Sequence, residues 1–367
     1  MDRRKALGVF LGVAVGAAGL SLRDRVQSGR VARVAGPLLP DCEGALRELV
    51  IHYVPAAAPI VERAYRDFLP QLPADVTVHV VCPDQAAFDD LRSRVGPVPC
   101  TLSPVVVGHA ITCWSRDRWL ALGQVTGGTR VPPVTLLSPR AEDGAELWPA
   151  RDGDARVGQD LARILGSRVA AERSALHFDG GDFVADAETA FVAPALLARN
   201  LQRTVQTAEE LEATLVRLLR RRIVLLRDAP DHHAGMFMMP VGDRTVLVAD
   251  PSLARGLVDC GEPDGTTQRQ FDSVAAACSA AGYRVVRIPV VPGRDGRTYL
   301  TYVNAILDER DGRRVVYMPI YAHVPALNEA AAAVWRGLGY EVRPVDCSAV
   351  YPHFGTLRCL VNVLRRG

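Results

Sequence analysis

Cys359, in the run FGTLRCLVNVL at residues 354–364, is the strongest nucleophile candidate in the chain. A thiol attacks carbon only as its thiolate, so it needs a base within reach, and the base needs a carboxylate to orient it. Candidates for both occur upstream. DHHAGMFMMPVGDRTVLVAD, 231–250, puts His232 and His233 ahead of an apolar strand. HFDGGDFVAD, 177–186, sets Asp179 and Asp182 on either side of two glycines that permit a tight turn, with His177 next to them. CWSRDRW, 113–119, places Asp117 between two arginines at the start of a strand, and TYVNAIL, 301–307, carries Asn304 in an otherwise apolar strand.

Each feature alone has a plainer explanation. A cysteine in an apolar strand is usually inert packing, and an aspartate between arginines is usually a surface ion pair. A turn needs at most one of the two carboxylates in DGGD. The Asp-His-His triplet could ligate a metal, but the further aspartate motifs that such a site needs upstream are absent, as is a glycine-rich, histidine-bearing segment downstream. Successive histidines on a strand also face opposite ways, so one of the pair lines a site. No metal and no cofactor is expected. What favours chemistry is company: aspartate, DGGD turn, histidine and cysteine follow in order, each beside a strand end.

The elements that must position them alternate short β-rich runs with amphipathic helices. Strands are expected at 75–82, 118–123, 189–193, 222–226, 245–249, 283–289, 302–307 and 314–320. Helices are expected at 85–95, 157–169, 207–222, 268–282 and 326–339. Thr207 with Glu210 reads as a capping box, and Gly337 or Gly339 as a helix stop. The recurring order of helix, link and strand implies a repeated unit and a radial or solenoid assembly. The fold class is α/β, with no internal linker, so residues 31–367 read as a single domain.

The chain has 367 residues, about half of them apolar, which suffices for a sizeable core. Lys plus Arg is 43 against 41 for Asp plus Glu, and no basic tract of the nucleic-acid type is present. The eight cysteines, at 42, 82, 100, 113, 260, 278, 347 and 359, form no CxxC pair. That excludes a zinc ribbon or a thioredoxin-like centre, and a dense disulfide scaffold does not suit this length. The N-terminus, MDRRKALGVFLGVAVGAAGLSLRDR, sets Arg3, Arg4 and Lys5 ahead of an apolar run from Ala6 to Leu22. This is the order of an export signal, with a twin-arginine hint, or of an uncleaved membrane anchor over residues 1–30. The expected location is therefore outside the cytoplasm.

Taken together, WSRD, FDGGD, HHAGMF…GDRTVLV, YVNAI and GTLRCLVNVL resemble the guanidino-group-modifying superfamily. It includes agmatine, arginine and peptidylarginine deiminases, dimethylarginine hydrolases and amidinotransferases. The match runs from about Cys113 to the C-terminus and is densest over residues 318–364, which are similar to the last module of the agmatine and peptidylarginine deiminases. The resemblance implies a pentein fold, an α/β propeller of five repeated strand–helix–strand modules around a pseudo-fivefold axis, with the site in a central channel. It implies Cys359 as nucleophile, His233 as general acid/base, Asp179 as its support or the substrate's, and Asp117 as the anchor of the guanidinium. Asn304 takes the place of a pocket asparagine. The implied partner is a small-molecule or peptide guanidine, converted to a ureido product and ammonia through a covalent thiouronium intermediate.

Two positions depart from that pattern. Deiminases typically carry an aspartate two residues after the histidine, as the second arm of the guanidinium clamp; here it is Gly235, and Asp182 or Asp231 would have to supply the charge. Arg358 stands where this branch often has histidine, and could lower the neighbouring thiol's pKa. The rival readings are an amidinotransferase and a catalytically silent guanidine- or peptide-binding protein.

Overall fold

In the computed structural model the described residues are 36–125, 133–141, 149–258 and 265–367. The expected export segment and Cys260 lie outside them. Among the described residues the strands form five small sheets, and the same pairing recurs in each. A first strand pairs antiparallel with a second, and the second pairs parallel with a third, reached through helix. Parallel neighbours need such a crossover, which is why every module carries helix between its second and third strands.

In the second module the strands are Leu120–Leu122, Val134–Ser138 and Val169–Arg173, with the helix Pro149–Leu165. The third has Phe183–Ala185, Thr189–Val192 and Arg222–Leu225, with helices Pro194–Asn200 and Ala208–Leu219. The fourth has Met238–Pro240, Thr245–Asp250 and Arg284–Pro292, with Gly265–Ala280, and Tyr299–Thr301 added at its edge. The fifth has Ile306–Arg310, Arg313–Ile320 and Tyr340–Asp346, with Pro325–Gly337. The first module draws on both ends of this region. Val361–Arg366 pairs antiparallel with Leu46–His52, which pairs parallel with Thr77–Cys82 across the helix Ala58–Phe68. A further helix, Gln85–Val95, and strand, Thr101–Val106, extend that sheet.

Local chemistry explains the helix ends. Thr207 caps Ala208–Leu219 by accepting from the Glu210 N–H at 3.2 Å, while Glu210 reaches back one residue further than expected, to Gln206 N–H at 2.7 Å. The helices pack apolar faces on the sheets. Phe68 and Tyr317, both fully buried, meet edge to face at 5.0 Å and join the first module's helix to the fifth module's strand. Such a pair adds about 1 kcal/mol beyond its buried area.

Three expected elements are corrected. Residues 302–305 bend rather than extend, because the Asn304 side chain engages backbone of two other segments. Residues 357–360 form one short helical turn ahead of the last strand, so Cys359 is not on a strand. The helix expected from 157 begins at Pro149. Its Asp- and Gly-rich start reads as loop, yet Gly153 is demanded by packing: a Cβ there would sit 1.7 Å from the Ala110 carbonyl oxygen. No helix among the described residues is long and apolar enough to cross a membrane.

Candidate active site

Each module contributes one of the expected residues, just ahead of its first strand. Cys359 and Asn304 lie two residues before theirs, Asp117 three, Asp179 four and His233 five. The repeat therefore delivers chemistry as well as architecture.

Cys359 sits in the turn Leu357–Leu360, its N–H donating to the Thr356 carbonyl at 3.1 Å and its Sγ 3.5 Å from Asn304 Oδ1. His233 leads into the turn Ala234–Met236, lies beside Cys359, and holds Nε2 3.6 Å from Asp179 Oδ2. Burial opposes charge on this imidazole, but the bonds to Asp179 and Cys359 and the nearby Asp117 override it and raise its pKa well above the usual histidine value. His232 is different. Burial and the charge on His233 push it down to about 3, so it is neutral and its Nδ1 accepts the His233 N–H at 2.7 Å. The two histidines thus differ in charge, and the reason is this hydrogen bond and the surrounding charges, not alternation along a strand.

The DGGD glycines serve close approach. Neither has a positive φ. A Cβ at Gly180 would lie 2.1 Å from the Arg116 carbonyl oxygen, and one at Gly181 would lie 2.4 Å from His233 Nδ1. Gly180 N–H donates to the Asp117 carbonyl at 2.6 Å, tying the two acidic loops together. Asp179 receives Arg199 Nη1 and Arg151 Nη2, both at 2.7 Å. Burial would raise its pKa, but His233 and the two arginines hold it well below the carboxylate range. Asp182 is fully buried, and its Oδ2 accepts the Asp179 N–H at 2.8 Å and an Arg199 N–H. Burial pushes its pKa up, with Asp179 adding repulsion. Expected as a substrate contact, Asp182 instead braces the turn.

Asp117 lies in a turn before its strand and accepts Arg151 Nη1 on Oδ2 at 2.8 Å. Arg151 therefore bridges the two carboxylates, and its own charge is reinforced by Asp117, Asp179 and Asp154 against the cost of burial. The side chains of His233, Asp179, Arg151 and Asp117 keep 21, 14, 13 and 12% of their surface exposed.

Asn304 is almost wholly buried and acts as a junction. Its Nδ2 donates to the Gly235 carbonyl at 3.0 Å, and its Oδ1 accepts from Thr356 Oγ1 at 2.6 Å and Arg358 N–H at 3.0 Å. It fastens the histidine loop to the cysteine loop, where a contact to substrate had been expected. Arg358 turns toward Asp41, donating Nη2 at 2.7 Å and Nε at 3.2 Å to Oδ1, and Nη2 to the Phe183 carbonyl at 3.0 Å. Despite the cost of burial, Arg358 and Arg116 hold Asp41 ionised. Asp231, the other candidate replacement charge, is exposed, and His177 donates its N–H to the Asn200 side chain.

The structure thus brings Asp117, Asp179, His233 and Cys359 together and puts Asp182 and Asn304 behind them. Arg151, Arg199 and Asp41 were missed. Nothing local marks them, though buried carboxylates imply counter-charges somewhere. Among the described residues no cluster of His, Cys, Asp and Glu is arranged to hold a metal ion.

The model of the Porphyromonas-type peptidyl-arginine deiminase family matches residues 52–363. The fold is similar to that of C. jejuni agmatine deiminase with substrate bound, with TM-score 0.68 and 13% identity, covering 90% of this chain and 96% of that one. It is likewise similar to agmatine deiminase of Enterococcus faecalis, with TM-score 0.67 and 15% identity, covering 90% and 96%. At such identities the likeness speaks for the mixed α/β fold. No curated protein matches the chain.

Proposed function

The chain belongs to the Porphyromonas-type peptidyl-arginine deiminase family, hydrolases of carbon–nitrogen bonds in guanidino groups within the pentein superfamily, and from that premise we propose that Cys359, His233 and Asp179 convert a guanidine to a ureido product and ammonia. The five modules, on this reading, surround a pseudo-fivefold axis at which their leading residues meet. The observation that carries the reading is that His233 lies beside both Cys359 and Asp179, with Nε2 3.6 Å from Asp179 Oδ2. An imidazolium so placed keeps a proton to give.

The steps follow. Asp117, whose Oδ2 is held by Arg151, offers its other oxygen to a guanidino N–H. The Cys359 sulfur forms a bond to the guanidino carbon, the electron pair moves to nitrogen, and His233 protonates the departing ammonia. His233, now neutral, takes a proton from water as the water adds to the thiouronium carbon. The C–S bond breaks, the thiolate returns, and the ureido product leaves. Asp179 keeps His233 oriented throughout, and Asp182 and Asn304 act through the groups they brace.

Ammonia and ureido product are assayed with agmatine, arginine and arginyl peptides. Turnover that disappears in Cys359→Ala is expected; turnover undiminished in that variant, or none by wild type on any guanidine, overturns the reading. The second reading, a silent binder, draws on Arg151 filling the space between Asp117 and Asp179 and on the glycine at 235; it predicts binding of guanidines with no ureido product. An export or anchoring role for residues 1–30 belongs to the same proposal.

A further inference from the structure

Gly235 and Arg358 are one feature. A Cβ on Gly235 would lie 2.8 Å from Arg358 Nη1 and 3.3 Å from Asn304 Nδ2. The guanidinium of Arg358 thus fills the room a side chain at 235 would take. Arg358 is 3% exposed. Its Nε and Nη2 are used by Asp41 and the Phe183 carbonyl, while Nη1 has no hydrogen-bond partner among the described residues. A guanidinium N–H that no internal acceptor occupies can take an arriving anionic oxygen in a charge-assisted bond.

The place of Nη1 is at the reacting end of the site. Residue 235 follows His233 by two positions. Its carbonyl is bonded to Asn304, whose Oδ1 lies 3.5 Å from the Cys359 Sγ.

We infer that Arg358 Nη1 is an anion subsite, and that the preferred substrate is a guanidine carrying its own carboxylate close to the guanidino group, one or two carbons from the nitrogen. This deepens the proposed hydrolysis and rests on that reading for the word substrate. A short ω-guanidino carboxylate is a zwitterion: its guanidinium takes the remaining oxygen of Asp117 and its carboxylate takes Arg358. Agmatine, with a second positive charge, has nothing to offer Nη1. The glycine at 235 is what leaves the subsite open.

The test is binding, read by calorimetry in the Cys359→Ala protein, with 3-guanidinopropionate, ethylguanidine and agmatine as probes. Roughly tenfold or tighter binding of 3-guanidinopropionate over ethylguanidine is expected, from one charge-assisted bond. Adding Gly235→Asp supplies an internal partner for Arg358. The φ at 235 is not positive, and the atom in the way is the tip of a flexible side chain, so the change is tolerated. The order should then reverse, with the carboxylate probe losing at least tenfold. Agmatine or ethylguanidine binding as tightly as 3-guanidinopropionate, no binding by any probe, or an unchanged order in Gly235→Asp, each overturns the subsite. Turnover separates the two ideas. Cys359-dependent ureido product from agmatine without the carboxylate preference sinks the subsite alone, while the predicted binding order with no product from any guanidine sinks the hydrolysis alone.

Discussion

Gly181 lies against the His233 ring so closely that a single methyl group would come within 2.4 Å of Nδ1. The contact sets the distance of the imidazole from Asp179 on one side and Cys359 on the other. Gly181→Ala must push the ring away, since the DGGD backbone is itself pinned to the Asp117 carbonyl by Gly180 N–H. A displacement of about 1 Å at a reacting group costs on the order of 100-fold in rate. The expected outcome is a folded protein, by circular dichroism, with kcat lowered by about that factor. Full activity in Gly181→Ala would show that the ring position is not critical.

The His233–Asp179 pair also fixes a pH dependence. The His233 pKa is raised on folding, so its contribution to stability is complete below the unfolded value of about 6.5 and is lost as pH rises through the folded value. The Asp179 pKa is depressed, so its contribution is complete above about 3.9 and is lost as pH falls through the folded value. Urea unfolding of wild type against His233→Asn should show the largest advantage of wild type between about pH 4 and 6.5, shrinking on the alkaline side. An advantage that grows above about pH 8 contradicts the assignment.

Much of this was legible from residue types. The helix expected at 85–95 is Gln85–Val95, because apolar period and an Asp84 cap agree there. Asp117, Asp179, His233 and Cys359, singled out by motif order, each stand just ahead of the first strand of a module. What failed was decided by contacts distant in sequence. Asn304 bends a run whose Tyr302, Val303 and Ala305 are buried and so read as strand. The Gly153 stretch is helical because the Ala110 carbonyl leaves no room for a side chain. Arg151 stands 34 residues from Asp117 and 28 from Asp179, beyond any local pattern.

Arg151 leads to a stability prediction. With the guanidinium gone, Asp117 loses its ion pair among the described residues and Asp179 loses one of several, leaving two partly buried carboxylates close together. Breaking such a network by removing one partner costs about 3 kcal/mol. Arg151→Ala should lose about that much in urea unfolding, and Arg151→Lys should recover less than half, since one ammonium cannot offer two carboxylates a planar fork. Equal stability of wild type and Arg151→Ala would show that the bridge contributes nothing.

The last prediction concerns the thiols. Seven described cysteines are free and buried. Burial pushes Cys82 and Cys100 up to about 11 and Cys113 and Cys278 up to about 12, and it raises Cys42 and Cys347 well above the ordinary thiol value. Cys359 differs in its surroundings, since among these it lies beside the charged imidazole of His233. Alkylation requires the thiolate, and an adjacent imidazolium favours it. Brief treatment of the folded protein with iodoacetamide near neutral pH, followed by peptide mass mapping, should therefore modify Cys359 ahead of the other described cysteines. His233→Asn should slow that modification by at least tenfold without speeding the rest. Labelling spread evenly over the buried cysteines, or unaffected by His233→Asn, would mean that the imidazole does not activate the sulfur, and the catalytic assignment of both residues would fall with it.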